Sequence, residues 1–437
     1  MASSAQSKTG GGAVVEIEAN NLSLVELAEA VRGEGSREMS TSNLFALLLG
    51  AAFFLDASDM HFEQGEGVVL LRLRIDGILH DAGEIPKAAY AYLLNRIKLV
   101  AGMKINLRGE PQDGRFTVKV AGSNTLLEVR ASLNPAEFGE AVVLRILNPK
   151  AISLGLRDLG LRSDDEAMLR RELIKPNGII LVTGPTGSGK TTTLYACLKE
   201  VWTPEVKAVT IEDPIEYDLE GVEQTHVDRA AHYDFATGLR SILRQDPDLI
   251  LIGEIRDGET AETALDAALT GHLVFSTLHT NDAIGAISRL IDLGVRETVI
   301  GPALNLVIAQ RLVRRLCEAC KTPRPEVSGE LREAIENGIK KLPDRVARGE
   351  YTERTLYEAK GCEACGGTGY RGRVGIFELL PFSPEYEDTI RRGAPAAEMG
   401  KLAREKGLVE MQTDGILKAL KGVTTIEEVI RATGTVG

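Results

Sequence analysis

The sequence predicts an α/β protein whose parallel sheet lies in the second half of the chain, behind a smaller α+β domain. From residue 166 onward, short apolar strands alternate with helical segments, which is typical of a parallel sheet covered on both faces. Between residues 43 and 147, half-buried strands with period-two alternation are joined by turn residues. Two identical Cys-Glu-Ala-Cys segments and a series of amphipathic helices complete the chain.

The composition is that of an ordinary globular protein, with 43% hydrophobic and 26% charged residues among 437. A formal net charge of −12 argues against sequence-independent binding of nucleic acid, so no nucleic-acid partner is expected. The opening MASSAQSKTGGG lacks the apolar segment of a signal peptide. The longest apolar run, residues 44–55, is shorter than the roughly 20 residues of a membrane span and predicts a core helix. These features predict a cytoplasmic protein.

Periodicity and composition divide the chain into six segments. The predicted boundaries are 1–41 for a flexible N-terminal segment with a short helix, 42–147 for the α+β domain, 148–165 for a linker, 166–310 for the parallel-sheet core, 311–380 for a cysteine-bearing subdomain and 381–437 for a C-terminal helical region. Within the α+β domain, VVLLRLRIDGILH (68–80) predicts a hairpin with an Asp-Gly turn.

A glycine-rich loop follows the first apolar strand of the core. GPTGSGKT (184–191) fits the P-loop pattern G-x-x-x-x-G-K-[ST] between a strand and a helix. Lys190 is predicted to reach the β and γ phosphates, and the Thr191 hydroxyl to bind Mg²⁺. A glycine-rich turn without a ligand is the alternative, which the strand and helix on either side disfavour. The predicted nucleotide-binding residues are Gly184, Pro185, Thr186, Gly187, Ser188, Gly189, Lys190, Thr191 and Thr192.

Two further strands end in carboxylates. In DLILIGEI four apolar residues lead into Gly253 and Glu254, and VTIEDPIEY carries Glu212 and Asp213 after its apolar residues. Carboxylates at the P-loop edge of a parallel sheet can hold a Mg²⁺-linked water or accept the proton of the water that attacks the γ-phosphate. The pattern therefore predicts hydrolysis rather than binding alone. Spacing does not distinguish which of Glu212 and Glu254 is the general base.

Histidines and arginines supply further predicted site residues. His272 and His279 flank the apolar strand LVFSTL and are predicted to sense the γ-phosphate, with packed or surface histidines as the alternative. Arg240 and Arg244 are four residues apart and share one face of a helix. These two arginines could contact a phosphate or a neighbouring subunit. Alternatively, they could lie on a solvent-exposed helix face and pair with acidic residues.

Together these stretches resemble the secretion ATPases of type II secretion and type IV pilus assembly. The resemblance extends from about residue 42 to the C-terminus, and the P-loop, TIEDPIEY, LILIGEIRDGETAETAL and LTGHLVFSTLHT stand in the order of that family's Walker A, Asp box, Walker B and His box. SDMHFE, RLRIDGIL and QDGRF in the first domain are similar to family elements as well. The resemblance implies a RecA-like ATPase core preceded by a PAS-like domain.

The resemblance also implies a mode of action. Family members act as hexamers that bind ATP between subunits, with arginines reaching across, for which Arg115, Arg130, Arg240 and Arg244 are the expected residues. The implied function is ATP hydrolysis that drives assembly of a pilus or pseudopilus. The implied partners are an inner-membrane platform protein and a membrane-anchored cytoplasmic adaptor, so that the chain would lie in the cytoplasm, peripheral to the inner membrane.

The repeated cysteine pairs predict a zinc site. Cys317, Cys320, Cys362 and Cys365 supply four thiolates, the tetrahedral set that Zn²⁺ takes in structural sites. A disulfide is disfavoured in a reducing cytoplasm, and a thioredoxin-type redox pair would need only one such motif. In the family, this element favours the assembly and secretion branch over pilus retraction.

Two other functions remain as alternatives. A DNA-translocating or conjugative ring ATPase shares the P-loop, although the acidic net charge and the zinc element count against it. A nucleotide-gated scaffold would bind ATP without turnover, although the intact set of Lys190, Thr191, Glu212 and Glu254 counts against it.

Overall fold

The computed structural model describes residues 13–18, 21–32, 40–122, 125–149, 153–324, 328–351 and 355–434. The chain divides into two compact units. The first comprises residues 1–149, 317–321 and 359–372, and the second comprises residues 150–316, 322–358 and 373–437. Within the described ranges, no helix combines the length and the apolar character needed to cross a membrane.

The first unit is built on a seven-stranded sheet within the described residues. Its strands are β1 (Val14–Ile17), β2 (Ala57–Gln64), β3 (Val68–Ile75), β4 (Ile78–Pro86), β5 (Gln112–Val120), β6 (Leu126–Ala136) and β7 (Gly139–Leu147). They lie in the order β1-β5-β6-β7-β2-β3-β4. β1 runs parallel to β5, whereas the other neighbours are antiparallel. The predicted hairpin at 68–80 is β3 and β4, joined through Asp76 and Gly77 at positive φ.

Helices α1 (Leu24–Val31), α2 (Thr41–Phe54) and α3 (Lys87–Val100) belong to this unit. The apolar run at 44–55 makes up most of α2, and seven of the 14 residues of this helix are buried, as expected for a core helix. The predicted flexible segment 1–41 needs correction within its described part. Val15 and Ile17 of β1 and Leu27 and Val31 of α1 are buried in the core of this unit, because their apolar faces complete its sheet and helix layer. Residues 1–12, 19–20 and 33–39 of that segment lie outside the described part.

The second unit contains the predicted parallel sheet. Its strands are β8 (Gly178–Thr183), β9 (Ala208–Glu212), β10 (Glu223–His226), β11 (Leu249–Ile252), β12 (Leu273–Leu278), β13 (Leu304–Leu316) and β16 (Tyr370–Pro381). The order is β10-β9-β11-β12-β8-β13-β16, and the strands from β10 to β13 in that order are all parallel. Every residue of β8, β9, β11 and β12 is buried, which confirms a sheet covered on both faces and the predicted α/β class.

Helices cover this sheet and form the C-terminal region. They are α4 (Ser163–Leu173), α5 (Lys190–Val201), α6 (Phe235–Ile242), α7 (Gly258–Leu269), α8 (Ala283–Asp292), α9 (Glu297–Ala303), α10 (Gly329–Lys340), α11 (Pro384–Arg391), α12 (Ala396–Glu405), α13 (Met411–Leu420) and α14 (Ile426–Thr433). Short strands β14 (Thr322–Pro323) and β15 (Tyr357–Glu358) pair antiparallel and close the insertion between the two cysteine pairs.

Two predicted boundaries differ from the structure. The boundary at residue 310 falls inside β13, and β16 occupies the end of the predicted cysteine subdomain 311–380. Both strands belong to the sheet of the second unit. Of the predicted subdomain 311–380, only residues 317–321 and 359–372 belong to the first unit instead. Sequence periodicity did not predict β13, because its largely apolar first half contains Asn305 and is followed by the basic residues of QRLVRR.

The predicted linker 148–165 is also shorter in the structure. Residues 156–159 form a 3-10 turn, and Leu156 and Leu159 are buried in the core of the second unit. Arg162 forms a buried ion pair with Asp414 on α13 (Nη1 to Oδ1, 2.7 Å), which fastens the start of α4 to the C-terminal helices. The second half of the predicted linker is therefore part of the second unit.

Candidate functional site

The P-loop connects β8 to α5, at the carboxyl end of the parallel sheet. Gly184, Gly187 and Gly189 have φ values of +151°, +78° and +86°, a region that favours glycine. A Cβ on Gly184 would lie only 2.4 Å from the carbonyl oxygen of Gln310, so a side chain there would collide with the neighbouring strand. The glycines therefore allow the tight connection between β8 and α5 that a phosphate-binding loop needs.

Lys190 is the first residue of α5 and lies against the loop. Its Nζ donates hydrogen bonds to the carbonyl oxygens of Gly184 (2.9 Å) and Pro185 (3.1 Å). Burial lowers the pKa of Lys190, and the negative charge of Glu254 acts in the opposite direction. The lysine is thus close enough to Glu254 for their charges to interact, which brings the P-loop cation and one predicted carboxylate into one site.

A cavity of about 440 Å³ contains most of the predicted site. The P-loop residues 186–192 form one side of it, and Glu212, Glu254 and His279 contribute from the ends of neighbouring strands. These strands are adjacent and parallel, so their carboxyl ends meet at the P-loop edge of the sheet. The structure therefore brings together the P-loop, both carboxylates and one of the two histidines.

Glu254 is partly exposed and lies among basic groups. Its Oε1 is 2.7 Å from Arg256 Nη2, and its Oε2 is 3.4 Å from His279 Nε2. The guanidinium balances the carboxylate charge at a distance where an ion pair is strong. Arg256 is not among the residues predicted from the sequence, although its position two residues after Glu254 in GEIRDG was the available signal.

Glu212 is buried and surrounded by uncharged donors. Its Oε2 accepts a hydrogen bond from the Tyr195 hydroxyl (2.5 Å), and its Oε1 accepts from Thr210 Oγ1 (2.7 Å) and Gln224 Nε2 (3.2 Å). None of the three donors is among the residues predicted from the sequence. Thr210 was detectable from the strand period, because residues two apart point to the same face of a strand. Tyr195 and Gln224 had no such signal, since they reach Glu212 from a helix and from the polar strand β10.

The two histidines lie at opposite ends of β12. His279 follows the strand and lines the cavity, whereas His272 precedes it. The carbonyl oxygen of His272 accepts a hydrogen bond from the Gly178 N–H at the start of β8 (3.1 Å). The Nδ1 atom of His272 lies 2.9 Å from the Ala267 carbonyl oxygen. A strand of this length spans roughly 20 Å. The pair is therefore not brought together, and a phosphate bound at the P-loop lies out of reach of His272 in the same chain.

The four predicted arginines fall into two groups. Arg240 forms an ion pair with Glu259, and Arg244 donates to the Arg240 carbonyl oxygen (Nη1 to O, 2.8 Å), both in the second unit. Arg115 and Arg130 belong to the first unit, where they are directly opposite each other on β5 and β6. Their neighbours Phe116 and Val129 are buried, so both arginines are on the outer face of that sheet.

The four paired cysteines converge on one point in the first unit. Their Sγ atoms all lie within 4.8 Å of one another, with distances of 3.9 Å for Cys317–Cys362, 4.0 Å for Cys320–Cys365 and 3.8 Å for Cys362–Cys365. Zn–S bonds of about 2.3 Å in a tetrahedron place sulfur atoms about 3.8 Å apart. The cluster therefore fits a tetrahedral metal ion, and all five cysteines of the chain are free thiols.

Backbone groups support the cluster. Burial opposes ionisation of the Cys365 thiol, but the N–H groups of Cys362 and Gly369 donate to its Sγ (3.2 and 3.1 Å) and lower its pKa to about 7. Asp76, in the β3–β4 turn, accepts from the Gly372 N–H (2.9 Å). The cysteine segments are thus part of the first unit. The cysteines meet because Cys317 follows β13 and Cys365 precedes β16, two neighbouring strands.

Comparisons with known proteins identify the family to which the chain belongs. A family model described as "Type II/IV secretion system protein" matches residues 37–431. Type II secretion system protein E of Aeromonas hydrophila is 44% identical over 390 residues, which are 89% of this chain and 75% of that protein. The type IV pilus assembly ATPase PilB of Myxococcus xanthus is 42% identical over 387 residues, which are 89% of this chain and 67% of that protein.

Solved structures show the same fold. The crystal structure of the pilus retraction motor PilT with bound ADP has a TM-score of 0.56 and 27% identity, covering 89% of this chain and 96% of that one. The family model spans both compact units, including the P-loop, the two carboxylate strand ends and the four cysteines. The chain belongs to the type II/IV secretion system protein family.

Proposed function

We propose that this chain is an ATPase that hydrolyses Mg²⁺-bound ATP and thereby drives assembly of a pilus or pseudopilus, in type IV pilus biogenesis or type II secretion. The convergence of Lys190, Glu212 and Glu254 in one cavity carries the hydrolytic part of this proposal. The names of the type II secretion and pilus assembly relatives support the mechanical part.

Each group has a chemical task in this proposal. The P-loop N–H groups and Lys190 bind the phosphate oxygens, and the Thr191 hydroxyl and Glu254 would hold a Mg²⁺ ion, which would neutralise phosphate charge. Glu254 suits this task because its present partners, Arg256 and His279, are themselves basic groups that a divalent cation replaces. His279 then contacts the γ-phosphate from the end of β12.

Glu212 is proposed to receive the proton of the attacking water. In the contacts of the described residues it is held by neutral donors rather than by an ion pair, which leaves its negative charge available to accept a proton. The Tyr195 hydroxyl occupies one acceptor position on Oε2, and a second position on that oxygen remains for the proton. The proposal therefore favours Glu212 over Glu254 as the general base.

The tetracysteine cluster is proposed to hold one zinc ion with a structural role. Four thiolates complete a tetrahedral shell and leave no position for water, so a catalytic role is excluded by coordination number. The ion would fasten the two cysteine segments to each other within the first unit, where Asp76 and the Cys365 backbone contacts support them.

The assembly is proposed to be a homohexamer at the inner membrane. Arg115, Arg130, Arg240 and Arg244 are the residues proposed to complete the ATP site of a neighbouring subunit. The chain would act in the cytoplasm and reach the membrane through a platform protein and a membrane-anchored adaptor. Nothing in this proposal requires nucleic acid.

Phosphate release by the purified protein tests the proposal. Wild type should hydrolyse ATP, and Lys190→Ala should reduce turnover at least about tenfold, because no other cation replaces its phosphate contacts. Lys199→Ala, on the same helix but exposed, is the matched control and should retain activity. Binding without turnover by the wild type would favour the scaffold alternative, and stimulation by DNA would favour the DNA-translocating alternative.

A further inference from the structure

The P-loop helix directly contacts the Glu212 carboxylate. Tyr195 is on α5, further along the helix that begins with Lys190, and its hydroxyl donates to Glu212 Oε2 at 2.5 Å. Both side chains are nearly inaccessible, with 2% and 3% of their surface exposed. Burial, together with the charge of Glu212, raises the pKa of the Tyr195 hydroxyl above its ordinary value, so at neutral pH the group is a donor.

The second oxygen of the same carboxylate is saturated. Oε1 accepts from Thr210 on the same strand and from Gln224 on β10. Gln224 is itself oriented, because its Nε2 donates to the Tyr217 carbonyl oxygen (3.1 Å) and its Oε1 accepts from the Leu219 N–H (2.7 Å). Three donors on three elements therefore define where each oxygen of Glu212 lies.

Such an arrangement matters for a proton acceptor. A glutamate side chain has several freely rotating bonds, and a small displacement of a reacting group can cost about 100-fold in rate. Of the three donors, only Tyr195 contacts Oε2, the oxygen that retains an acceptor position. The contact also ties Glu212 to the same rigid helix that carries the phosphate-binding lysine.

We propose that Tyr195 is a positioning residue for ATP hydrolysis, which fixes Glu212 relative to the P-loop through the hydrogen bond to Oε2. This inference rests on the proposed ATPase function and on the role of Glu212 in it. Tyr195 itself contacts neither phosphate nor water in this scheme. It acts through the Glu212 carboxylate, whose other oxygen, Oε1, is held by Thr210 and Gln224. We call these three donors, Tyr195, Thr210 and Gln224, the cage around Glu212.

Steady-state kinetics of Tyr195→Phe tests the proposal, because phenylalanine keeps the ring and removes only the donor. We expect kcat to fall about 10- to 100-fold while KM for ATP changes less than about twofold. Tyr233→Phe is the matched control, since its hydroxyl lies 3.1 Å from Thr225 Oγ1 on the neighbouring β10 and touches no carboxylate in that contact. Its kcat should equal that of wild type.

A double-mutant cycle separates positioning from general packing. In a Glu212→Gln background, Tyr195→Phe should cause no further loss of kcat, because the carboxylate that it positions is gone. Equal losses in both backgrounds would overturn the proposal, as would wild-type kcat for Tyr195→Phe. Thr210→Val, which removes the donor to Oε1, should also lower kcat and decides the matter if Tyr195→Phe fails to fold.

Failure of the wider function gives a different pattern. If Glu212→Gln stalls hydrolysis and Tyr195→Phe does not, the ATPase proposal stands and the role of Tyr195 is refuted. If wild type releases no phosphate, or Glu212→Gln retains full turnover, the assumed role of Glu212 fails and the inference about Tyr195 fails with it.

Discussion

Arg256 Nη2 lies 2.7 Å from Glu254 Oε1, so the carboxylate at the end of β11 is paired with a guanidinium at the P-loop edge of the sheet. Glu212, at the end of the adjacent strand β9, accepts only neutral hydrogen bonds in the contacts described. Two carboxylates that look equivalent in the sequence therefore have different electrostatic surroundings. This difference underlies the first prediction.

Glu254→Gln should weaken the response to Mg²⁺, because an amide keeps the shape and loses the charge that a divalent cation requires. The Mg²⁺ concentration for half-maximal hydrolysis should rise at least about tenfold. Glu212→Gln, by contrast, should lower kcat and leave this Mg²⁺ concentration unchanged. Glu262→Gln, an exposed acid on α7, is the control. An unchanged Mg²⁺ response in Glu254→Gln would reverse the proposed roles.

The two histidines should differ in their effect on turnover. His279→Ala is expected to lower kcat about tenfold or more, since His279 lies in the cavity beside Glu254. His272→Ala removes the equivalent side chain at the other end of β12 and should leave kcat close to wild type. Equal losses of kcat in the two variants would mean that His272 contacts a phosphate that is not bound at the P-loop of its own chain.

Arg115 should act on a neighbouring subunit. Arg115→Ala and Lys190→Ala should each be inactive alone, but a mixture should recover activity, because some sites then combine an intact P-loop with an intact arginine from the other variant. Lys119→Ala, on the same strand and paired with Glu16, is the control and should be active alone. Mixtures that stay inactive, with specific activity independent of protein concentration, would argue against shared sites.

The tetracysteine cluster should bind about one zinc ion per chain, measured by elemental analysis of protein purified without chelator. Cys362→Ser should lose the metal and lower the unfolding temperature, because the ion stabilises the folded first unit. Nucleotide affinity of the folded variant should change little, since the P-loop belongs to the second unit. Protein without metal, or a disulfide within either pair under reducing conditions, would contradict the assignment.

Glu378 on β16 should make stability depend on pH. Burial raises its pKa to about 7, and the N–H groups of Ala283 and Met411 offset this only in part. The folded state therefore holds the proton more tightly than the unfolded state. This contribution to the free energy of unfolding is fully present below about pH 4.5 and is lost as the pH rises through about 7.

The expected loss is about 3 kcal/mol over that range. Glu378→Gln cannot ionise and keeps an oxygen for the Ala283 N–H, so its unfolding free energy should decline less between pH 5 and pH 8 than that of wild type. Denaturant titrations at several pH values measure the difference. Parallel pH profiles for the two proteins would show that Glu378 does not titrate in this range.

Much of this protein is determined by local sequence. The P-loop, the apolar strands β8, β9, β11 and β12, and the hairpin at Asp76 and Gly77 follow from periodicity and from turn chemistry, which act over a few neighbouring residues. The cysteine spacing likewise identifies a four-thiolate set, because metal ligation requires a particular set of ligands whatever the surrounding fold.

Tertiary structure decided what depends on distant residues. The cage around Glu212 brings together Tyr195, Thr210 and Gln224 from a helix and two strands, and no local pattern encodes that meeting. The direction of β12 separates His272 from His279, since parallel pairing sends only the carboxyl ends of strands to the P-loop. Strand order placed β13 beside β16 and so brought the cysteine pairs together, because pairing between strands far apart in sequence is set by packing of the whole sheet.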